Sequence, residues 1–168
     1  MGLLGAAVEP GEDFDEWFLS RLPRVIRLAH RITGNQTLAE DVAAEAFARA
    51  FARWRRVGTL AYRDAWVLRV ASNVAIDAMR QRPVPQEFAE LGPIDGADAA
   101  ALRATLVSAL TMLSKGEREA VVLRYLADLS EDDVAAALRV KPGTVKSDLH
   151  RGVASLREQL GRELEQIG

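Results

Sequence analysis

Four polar side chains that could bind nucleic acid lie on one face of a predicted helix near the C-terminus. The helix is predicted to begin at Pro142, and its apolar face comprises Val145, Leu149, Val153 and Leu156. The opposite face comprises Lys146, Ser147, His150 and Arg151. In the first turns of a helix, such groups can hydrogen bond to base edges in a DNA major groove. The same face could also be the solvated side of a helical hairpin, and this segment alone leaves both interpretations open.

A shorter helix and a tight turn are predicted to position that face. Ser130, with Asp133 three residues later, is typical of a capped helix start, although Glu or Gln is more usual than Asp. Residues 139–141 form the predicted turn. Pro142 suits the first position of the next helix, where its missing N–H costs nothing. The two helices together predict a helix-turn-helix.

A second polar set lies between residues 57 and 82. Val57 to Arg63 is predicted to be a loop, and Asp64 to cap a helix running from Ala65 to about Arg82. One stripe of that helix comprises Trp66, Arg69, Asn73 and Arg80. An aromatic ring, an amide and two guanidinium groups suit unstacked or single-stranded bases. Trp66 could equally be a half-buried core residue.

An earlier helix, predicted from Leu38 to about Arg56, carries two distinct faces. Thr37 and Glu40 form a predicted capping box at its start. Its predicted core face comprises Leu38, Val42, Ala46, Phe47, Ala50, Phe51 and Trp54. Another side, which we call the acid–alanine strip, comprises Asp41, Glu45, Ala48 and Ala52. The acids could simply favour the helix dipole, or the flat strip could bind a protein partner.

Charge is distributed unevenly along the 168 residues, whose net charge is only −2. Residues 14–82 carry 12 Arg and 7 acidic residues, whereas residues 83–101 carry 4 acids and no base. A basic segment next to an acidic one is compatible with nucleic-acid binding despite the near-neutral total. There are no cysteines and two isolated histidines, so we expect no metal and no cofactor. With no signal peptide, membrane span or catalytic constellation, a cytoplasmic, non-enzymatic protein is expected.

The fold class expected from these patterns is all-α, with two small helical domains joined by an acidic flexible linker. We expect a disordered tail at 1–13, a first domain at 14–82, the linker at 83–101 and a second domain at 102–168. The first helix should be interrupted near Pro23. In the second domain, Leu102 to Leu113 should be a helix, and Ser114 with Glu117 should cap the next one. The helix-turn-helix follows, and residues 161–168 should fray.

Four segments, in this order, resemble the extracytoplasmic-function sigma factors, a two-domain class of bacterial transcription initiation factors. They are TLAEDVAAEAFARAFARW (37–54), DAWVLRVASNVAIDAMRQR (64–82), EREAVVLRYLADLSEDDVAAAL (117–138) and PGTVKSDLHRGVASLRE (142–158). The resemblance extends from about Phe14 to Leu164. It implies a protein that binds core RNA polymerase, recognises −35 and −10 promoter elements, and promotes promoter melting.

The resemblance also implies roles for individual residues. The acid–alanine strip would bind the clamp helices of the largest polymerase subunit, and the second domain would bind the flap of the second-largest subunit. The −10 element would be contacted by the −10 set, which comprises Tyr62, Arg63, Trp66, Arg69, Asn73 and Arg80. The −35 element would be contacted by the −35 set, which comprises Gly143, Thr144, Lys146, Ser147, His150 and Arg151. The protein would work at the nucleoid, and an anti-sigma factor is a further partner that the family allows.

Three positions depart from the family pattern. Asp148 occupies a place where relatives often have Arg, and its carboxylate could accept from a cytosine amine or pair with Lys146 or Arg151. Lys141 lies at a helix start where Ser or Asn is preferred. The loop before Asp64 offers Tyr62 but no clear aromatic where some relatives have one.

Two other functions are compatible with parts of the sequence. A free-standing helix-turn-helix regulator would have an apolar ligand pocket and would bind palindromic DNA without polymerase. A helical adaptor would bind only protein, and His150 and Arg151 would then be merely solvated. The free-standing regulator gives no role to the acid–alanine strip, the loop before Asp64 or the acidic linker, whereas the adaptor predicts no sequence-specific DNA contact.

Overall fold

The computed structural model describes residues 10–81 and 94–167, and these residues form eight α-helices and no strand. The helices are α1 (Pro10–Thr33), α2 (Gln36–Ala52), α3 (Trp54–Val57), α4 (Arg63–Gln81), α5 (Ile94–Thr111), α6 (Lys115–Val121), α7 (Glu131–Leu138) and α8 (Pro142–Ile167). A π-helical turn, Val122–Leu126, directly continues α6. The all-α prediction is confirmed. We call α1–α4 the N-terminal unit and α5–α8 the C-terminal unit.

Aromatic packing joins the helices of the N-terminal unit. The Trp17 ring of α1 lies 4.9 Å from that of Trp54 and 5.3 Å from that of Phe47, measured between ring centroids. Helix α1 continues through Pro23, so the predicted interruption is wrong. Proline removes only one hydrogen bond, and the packing of α1 against α2 and α4 compensates for that loss.

Two predicted caps in the N-terminal unit are wrong. Gly34 ends α1 with a φ of +67°, a conformation that glycine adopts without strain. The chain then places Asn35, not Thr37, at the start of α2, where its side chain accepts a 2.9 Å hydrogen bond from the Leu38 amide. Asp64 lies inside the first turn of α4 rather than before it.

The Asp64 carboxylate joins two helices. It accepts 2.7 Å hydrogen bonds from the Trp17 indole N–H and from Nε of Arg21. Asp64 therefore holds α1 against α4, because both of its donors belong to α1. This contact spans more than 40 residues of sequence.

The region around Phe51 also differs from the prediction. Helix α2 ends at Ala52, and the short helix α3 follows, so Val57 is helical and buried rather than part of a loop. Phe51, predicted to point inward, is 60% exposed, and its ring lies 5.0 Å from that of Phe14 in an edge-to-face arrangement, measured between centroids. Phe47 and Ala50 occupy the inward positions of this part of α2.

The C-terminal unit is more helical than predicted at both ends. Helix α5 begins at Ile94, so residues 94–101 are helical although they were expected to belong to an extended linker. Leu102, predicted to face inward, is 65% exposed. Helix α8 continues to Ile167, so the predicted fraying after Gly161 is wrong. Residues 10–13 of the predicted disordered tail belong to α1, while residues 1–9 of that tail and residues 83–93 of the linker lie outside the described residues.

The predicted start signals of the C-terminal unit are confirmed. Ser114 and Glu117 form both halves of a capping box on α6. Ser130 caps α7 by accepting from the Asp133 amide, and Pro142 is the first residue of α8. Between them, Arg139 adopts a φ of +57° and ends α7, which completes the helix-turn-helix.

The π-helical turn changes the phase of the helix that follows α6. A π-helical turn contains more residues per turn than an α-helix, so side chains beyond it face a different direction. Tyr125, predicted to be internal, is 56% exposed, while Val122 and Leu123 remain buried. The buried apolar residues of both units form one connected cluster. No helix within the described ranges is long and apolar enough to cross a membrane.

The close approach of α8 to α6 depends on Gly152. A Cβ atom there would lie 2.8 Å from Cγ2 of Val121, whereas a Cβ at Gly161, on the same helix, would meet nothing within 4 Å. We predict that Gly152→Ala lowers the free energy of unfolding by about 1 kcal/mol. Overpacking against Val121 destabilises the protein by about 1–3 kcal/mol, and the higher helix propensity of alanine offsets about 1 kcal/mol of that loss. Gly161→Ala, the matched control, should raise it by about 0.5–1 kcal/mol.

Urea titration followed by far-ultraviolet circular dichroism measures both changes. Equal stabilisation by the two alanines would show that α6 and α8 do not require the close approach at Gly152.

Candidate nucleic-acid and polymerase interfaces

The −35 set lies on the exposed side of α8. All six of its members are solvent-exposed, namely Gly143, Thr144, Lys146, Ser147, His150 and Arg151. On the other side of the helix, Val145 is fully buried and Leu149 is 7% exposed. The buried residues fix the rotation of α8 about its axis, so the polar side chains are presented together to solvent.

Two carboxylates hold the guanidinium group of Arg151. Its Nη2 lies 2.7 Å from Oδ1 of Asp148, and its Nε lies 3.4 Å from Oε1 of Glu117. The Asp148 side chain is only 14% exposed, whereas that of Arg151 is 60% exposed. Of the alternatives considered for Asp148, the structure shows the pairing with Arg151. Asp148 is therefore more buried than the exposed basic face of α8, and it orients the guanidinium group of Arg151.

Half of the −10 set is anchored within the N-terminal unit. Tyr62 and Trp66 are partly buried and pack against the core. The Arg63 guanidinium lies 5.7 Å from the Trp54 ring centroid and donates to the Gly58 carbonyl at 3.1 Å. Only part of each side chain is therefore accessible to a base.

The other three members of the −10 set, Arg69, Asn73 and Arg80, lie on α4 and differ in their exposure and contacts. Arg80 is exposed near the end of the helix. Arg69 and Asn73, one turn apart, both bind Glu119 of the C-terminal unit. Asn73 Nδ2 donates to Oε1 at 3.0 Å, and Arg69 Nε donates to Oε2 at 3.2 Å. Arg69 also donates to the carbonyl of Ala137 at 3.2 Å.

The acid–alanine strip is exposed throughout its length. Asp41, Glu45, Ala48 and Ala52 are all accessible on α2. Glu45 pairs with Arg49 at 2.9 Å, whereas Phe51 extends the strip with an exposed aromatic ring. The surface is thus acidic towards the start of α2 and apolar towards its end, which suits a protein partner with a basic and apolar surface.

Sequence reasoning missed Glu119 and Phe51. Glu119 is 4% exposed and lies next to buried Ala120, so it is a charged residue on an inward helix face. A charged residue at an apolar position is a signal that a partner must exist, because an unpaired buried charge is costly. The identity of that partner requires the tertiary structure. Among the described residues, no group of acidic or histidine side chains is arranged to hold a metal ion.

Comparisons with known proteins agree with this arrangement. The family model of sigma-70 region 2 matches residues 17–83, and the family model of sigma-70 region 4 matches residues 103–156. The chain is 36% identical to the RNA polymerase sigma-E factor of Streptomyces coelicolor, over 91% of this chain and 89% of that protein. It is 30% identical to the ECF RNA polymerase sigma factor SigW of Bacillus subtilis, over 82% and 83% of the two chains.

Solved structures show the same fold. The sigma factor RpoE of Bartonella quintana, in complex with the anti-sigma factor NepR, aligns with a TM-score of 0.52 and 26% identity, covering 89% of this chain and 98% of that one. CnrH, in complex with the cytosolic domain of CnrY, aligns with a TM-score of 0.59 and 23% identity, covering 89% and 88%. The chain therefore belongs to the extracytoplasmic-function sigma factors of the sigma-70 family, and as such it is a transcription initiation factor and not an enzyme.

Proposed function

We propose that the −35 set on α8 contacts the −35 promoter element. The observation that carries this proposal is the exposure of all six members on a helix whose opposite side is buried in a helix-turn-helix. Arg151 is suited to a base contact because Asp148 and Glu117 already orient its guanidinium group. Lys146 and Gly143, nearer the helix start, are suited to phosphate contacts, which position a protein without specifying sequence.

The −10 set is proposed to bind the melted strand. Asn73 can donate and accept at the edge of an unstacked base, and Arg69 and Arg80 can pair with phosphates on either side. Tyr62 and Trp66 lie near the start of α4 and are only partly buried, so the accessible part of either ring could stack on a flipped base. Extrusion of a base costs a few kcal/mol, which such contacts offset.

The polymerase contacts are proposed for two surfaces. The acid–alanine strip, extended by Phe51, would bind the clamp helices of the largest subunit. The C-terminal unit would bind the flap of the second-largest subunit. Such a protein acts where polymerase and promoter DNA are, so the proposed location is the cytoplasm, at the nucleoid. An anti-sigma factor is a further proposed partner, because the solved relative from Bartonella quintana is bound to one.

The domain boundaries predicted from sequence are retained in this proposal. Residues 14–82 would bind polymerase and the −10 element, residues 102–168 the −35 element, and residues 83–101 would connect them. The described cavities disfavour a ligand-sensing regulator. One of them, about 750 Å³, is a groove between α5 and α8 whose lining mixes polar Ser108, Gln159 and Arg162 with Ala109 and Met112, so it is not an apolar pocket.

Run-off transcription on fragmented genomic DNA, with core polymerase and with or without this protein, tests the proposal as a whole. New discrete start sites should appear only when the protein is present, and alignment of their upstream sequences would define both promoter elements. A protein that shifts duplex DNA alone, without new transcripts, would instead be a free-standing regulator.

Asp41→Arg should weaken binding to core polymerase by about 30-fold or more, because reversing a charge at an interface costs about 2 kcal/mol or more. Glu16→Arg is the matched control, since it reverses an exposed acid of the same unit outside the strip. Fluorescence anisotropy of labelled protein titrated with core polymerase measures both affinities. Equal affinities for the two variants would show that the acid–alanine strip is not part of the polymerase interface.

Arg151→Ala should cost about 1–3 kcal/mol on a promoter with the intact −35 element, as expected for loss of a base contact. Arg157→Ala, which removes an exposed arginine two turns further along α8, is the control. Holoenzyme binding to matched and −35-mutated promoter fragments separates two explanations. An equal loss of affinity for both fragments would indicate that Arg151 contacts a phosphate rather than a base.

A further inference from the structure

The guanidinium group of Arg151 is held along one edge by two carboxylates from different helices. Its Nη2 donates a 2.7 Å hydrogen bond to Oδ1 of Asp148 on α8, and its Nε lies 3.4 Å from Oε1 of Glu117 on α6. Nε and Nη2 carry the two parallel N–H groups of one edge of the guanidinium plane. The acids therefore occupy that edge. The second edge, formed by Nη1 and the remaining N–H of Nη2, stays available.

Glu117 is itself fixed by the capping box of α6. Its Oε2 accepts a 3.3 Å hydrogen bond from the Ser114 backbone N–H, and its own backbone N–H donates to the Ser114 hydroxyl at 3.3 Å. The other carboxylate oxygen, Oε1, faces Arg151. One side chain thus caps α6 and also faces the guanidinium group, so the start of α6 helps to define where that group lies.

Two glycines allow the acids to come this close. A Cβ atom at Gly116, in the first turn of α6, would lie 3.1 Å from Oδ2 of Asp148. A Cβ atom at Gly152, next to Arg151, would lie 3.4 Å from the carbonyl oxygen of Glu117. The absence of both side chains lets α6 and α8 approach closely enough for an acid of one helix to face an arginine of the other.

The available edge of Arg151 fits one pattern of base acceptors. Two parallel N–H donors match two adjacent acceptors, and in the DNA major groove guanine presents such a pair in N7 and O6. A guanidinium group that rotates freely would also bind phosphate oxygens with either edge. Held by Asp148 and Glu117, the group presents one edge in one orientation, and the Arg151 side chain is still 60% exposed.

The charges of this cluster act in the same direction. Two carboxylates face one guanidinium group, so the cluster attracts phosphates less than an arginine without acidic neighbours would. Phosphate contacts supply affinity that does not depend on sequence, whereas base contacts supply discrimination. The acids consequently lower sequence-independent affinity while they fix the orientation that a base contact requires.

We propose that Asp148 and Glu117 are positioning residues that determine sequence discrimination at the −35 element. By holding one edge of Arg151, they leave only its other edge to contact a base. The proposal rests on the role proposed above for Arg151 as a base contact, and it adds two acidic residues that themselves touch no base. Removal of either acid therefore lowers discrimination between sequences rather than total affinity for DNA.

Binding of the holoenzyme to promoter fragments tests this role. Run-off transcription supplies the promoter, and single substitutions in its −35 element, compared between the unchanged protein and Arg151→Ala, identify the base pair that Arg151 distinguishes. Discrimination is the ratio of the dissociation constants for the substituted and the intact fragment. Asp148→Asn should lower this ratio by about fivefold, the lower end of what a two-bond base contact contributes. Its affinity for the substituted fragment should be unchanged or higher.

Glu117→Gln provides an independent test. Glutamine is also a capping-box residue, so α6 stays capped while the negative charge facing Arg151 is lost. This variant should lower the ratio in the same direction, and it serves as the test if Asp148→Asn fails to fold. Glu158→Gln is the matched control, because Glu158 pairs with Arg162 of the same helix at 2.7 Å. It should leave the ratio unchanged.

A double variant separates positioning from charge. In an Arg151→Ala background, Asp148→Asn should change the ratio by less than about twofold, because Asp148 acts only through Arg151. A change of similar size in both backgrounds would overturn the proposal. So would an equal gain of affinity for both fragments, since the acid would then only repel DNA.

The same measurements distinguish this inference from the proposed function. If Arg151→Ala alters discrimination at no −35 base pair, the proposed base contact fails and the positioning role fails with it. If Arg151→Ala removes discrimination at one base pair while neither acid variant changes it, the positioning role alone fails.

Discussion

The arrangement of the two units depends on the pairing of one buried carboxylate. Removing a charge from water costs several kcal/mol, and the attraction of a partner offsets that cost only when its hydrogen bonds are well placed. Glu119 meets this condition because Arg69 and Asn73 supply donors to both of its oxygens. These donors come from the other unit, so separation of the units leaves a carboxylate that must be hydrated again. The contact consequently favours this arrangement of the two units.

The π-helical turn determines which groups of the C-terminal unit reach Arg24 and Arg31 of the N-terminal unit. The turn changes the helix phase after Val121, which keeps Val122 and Leu123 in the core and exposes Tyr125. It also ends the helix with carbonyl groups directed at Arg24 and Arg31. Asp128, immediately after it, has a φ of +56°, an uncommon conformation for a residue other than glycine. The inter-unit contact is thus built from a local irregularity that α-helical periodicity cannot produce.

The sequence predicted features that depend on neighbouring residues. The caps at Ser114 and Ser130 and the start of α8 at Pro142 are local, and all three are confirmed. Partners distant in sequence were not predictable. The Asp64 side chain could cap the start of a helix or accept from a donor 47 residues away. In the structure it accepts from the Trp17 indole N–H. The acid–alanine strip and the −35 set were recognisable because exposure follows helical periodicity, whereas Glu119 required knowledge of how two units meet.

The locations of the three proposed surfaces give a reason why only one of them is covered. The acid–alanine strip belongs to α2 and the −35 set to the outer side of α8, and neither helix face contributes to the contact around Glu119. Arg69 and Asn73 lie on α4, which touches both units. A guanidinium or amide group exposed on a free protein would bind any single-stranded nucleic acid, because such contacts carry little sequence information. The two surfaces proposed to bind polymerase and duplex DNA are exposed, whereas Arg69 and Asn73 are held by Glu119.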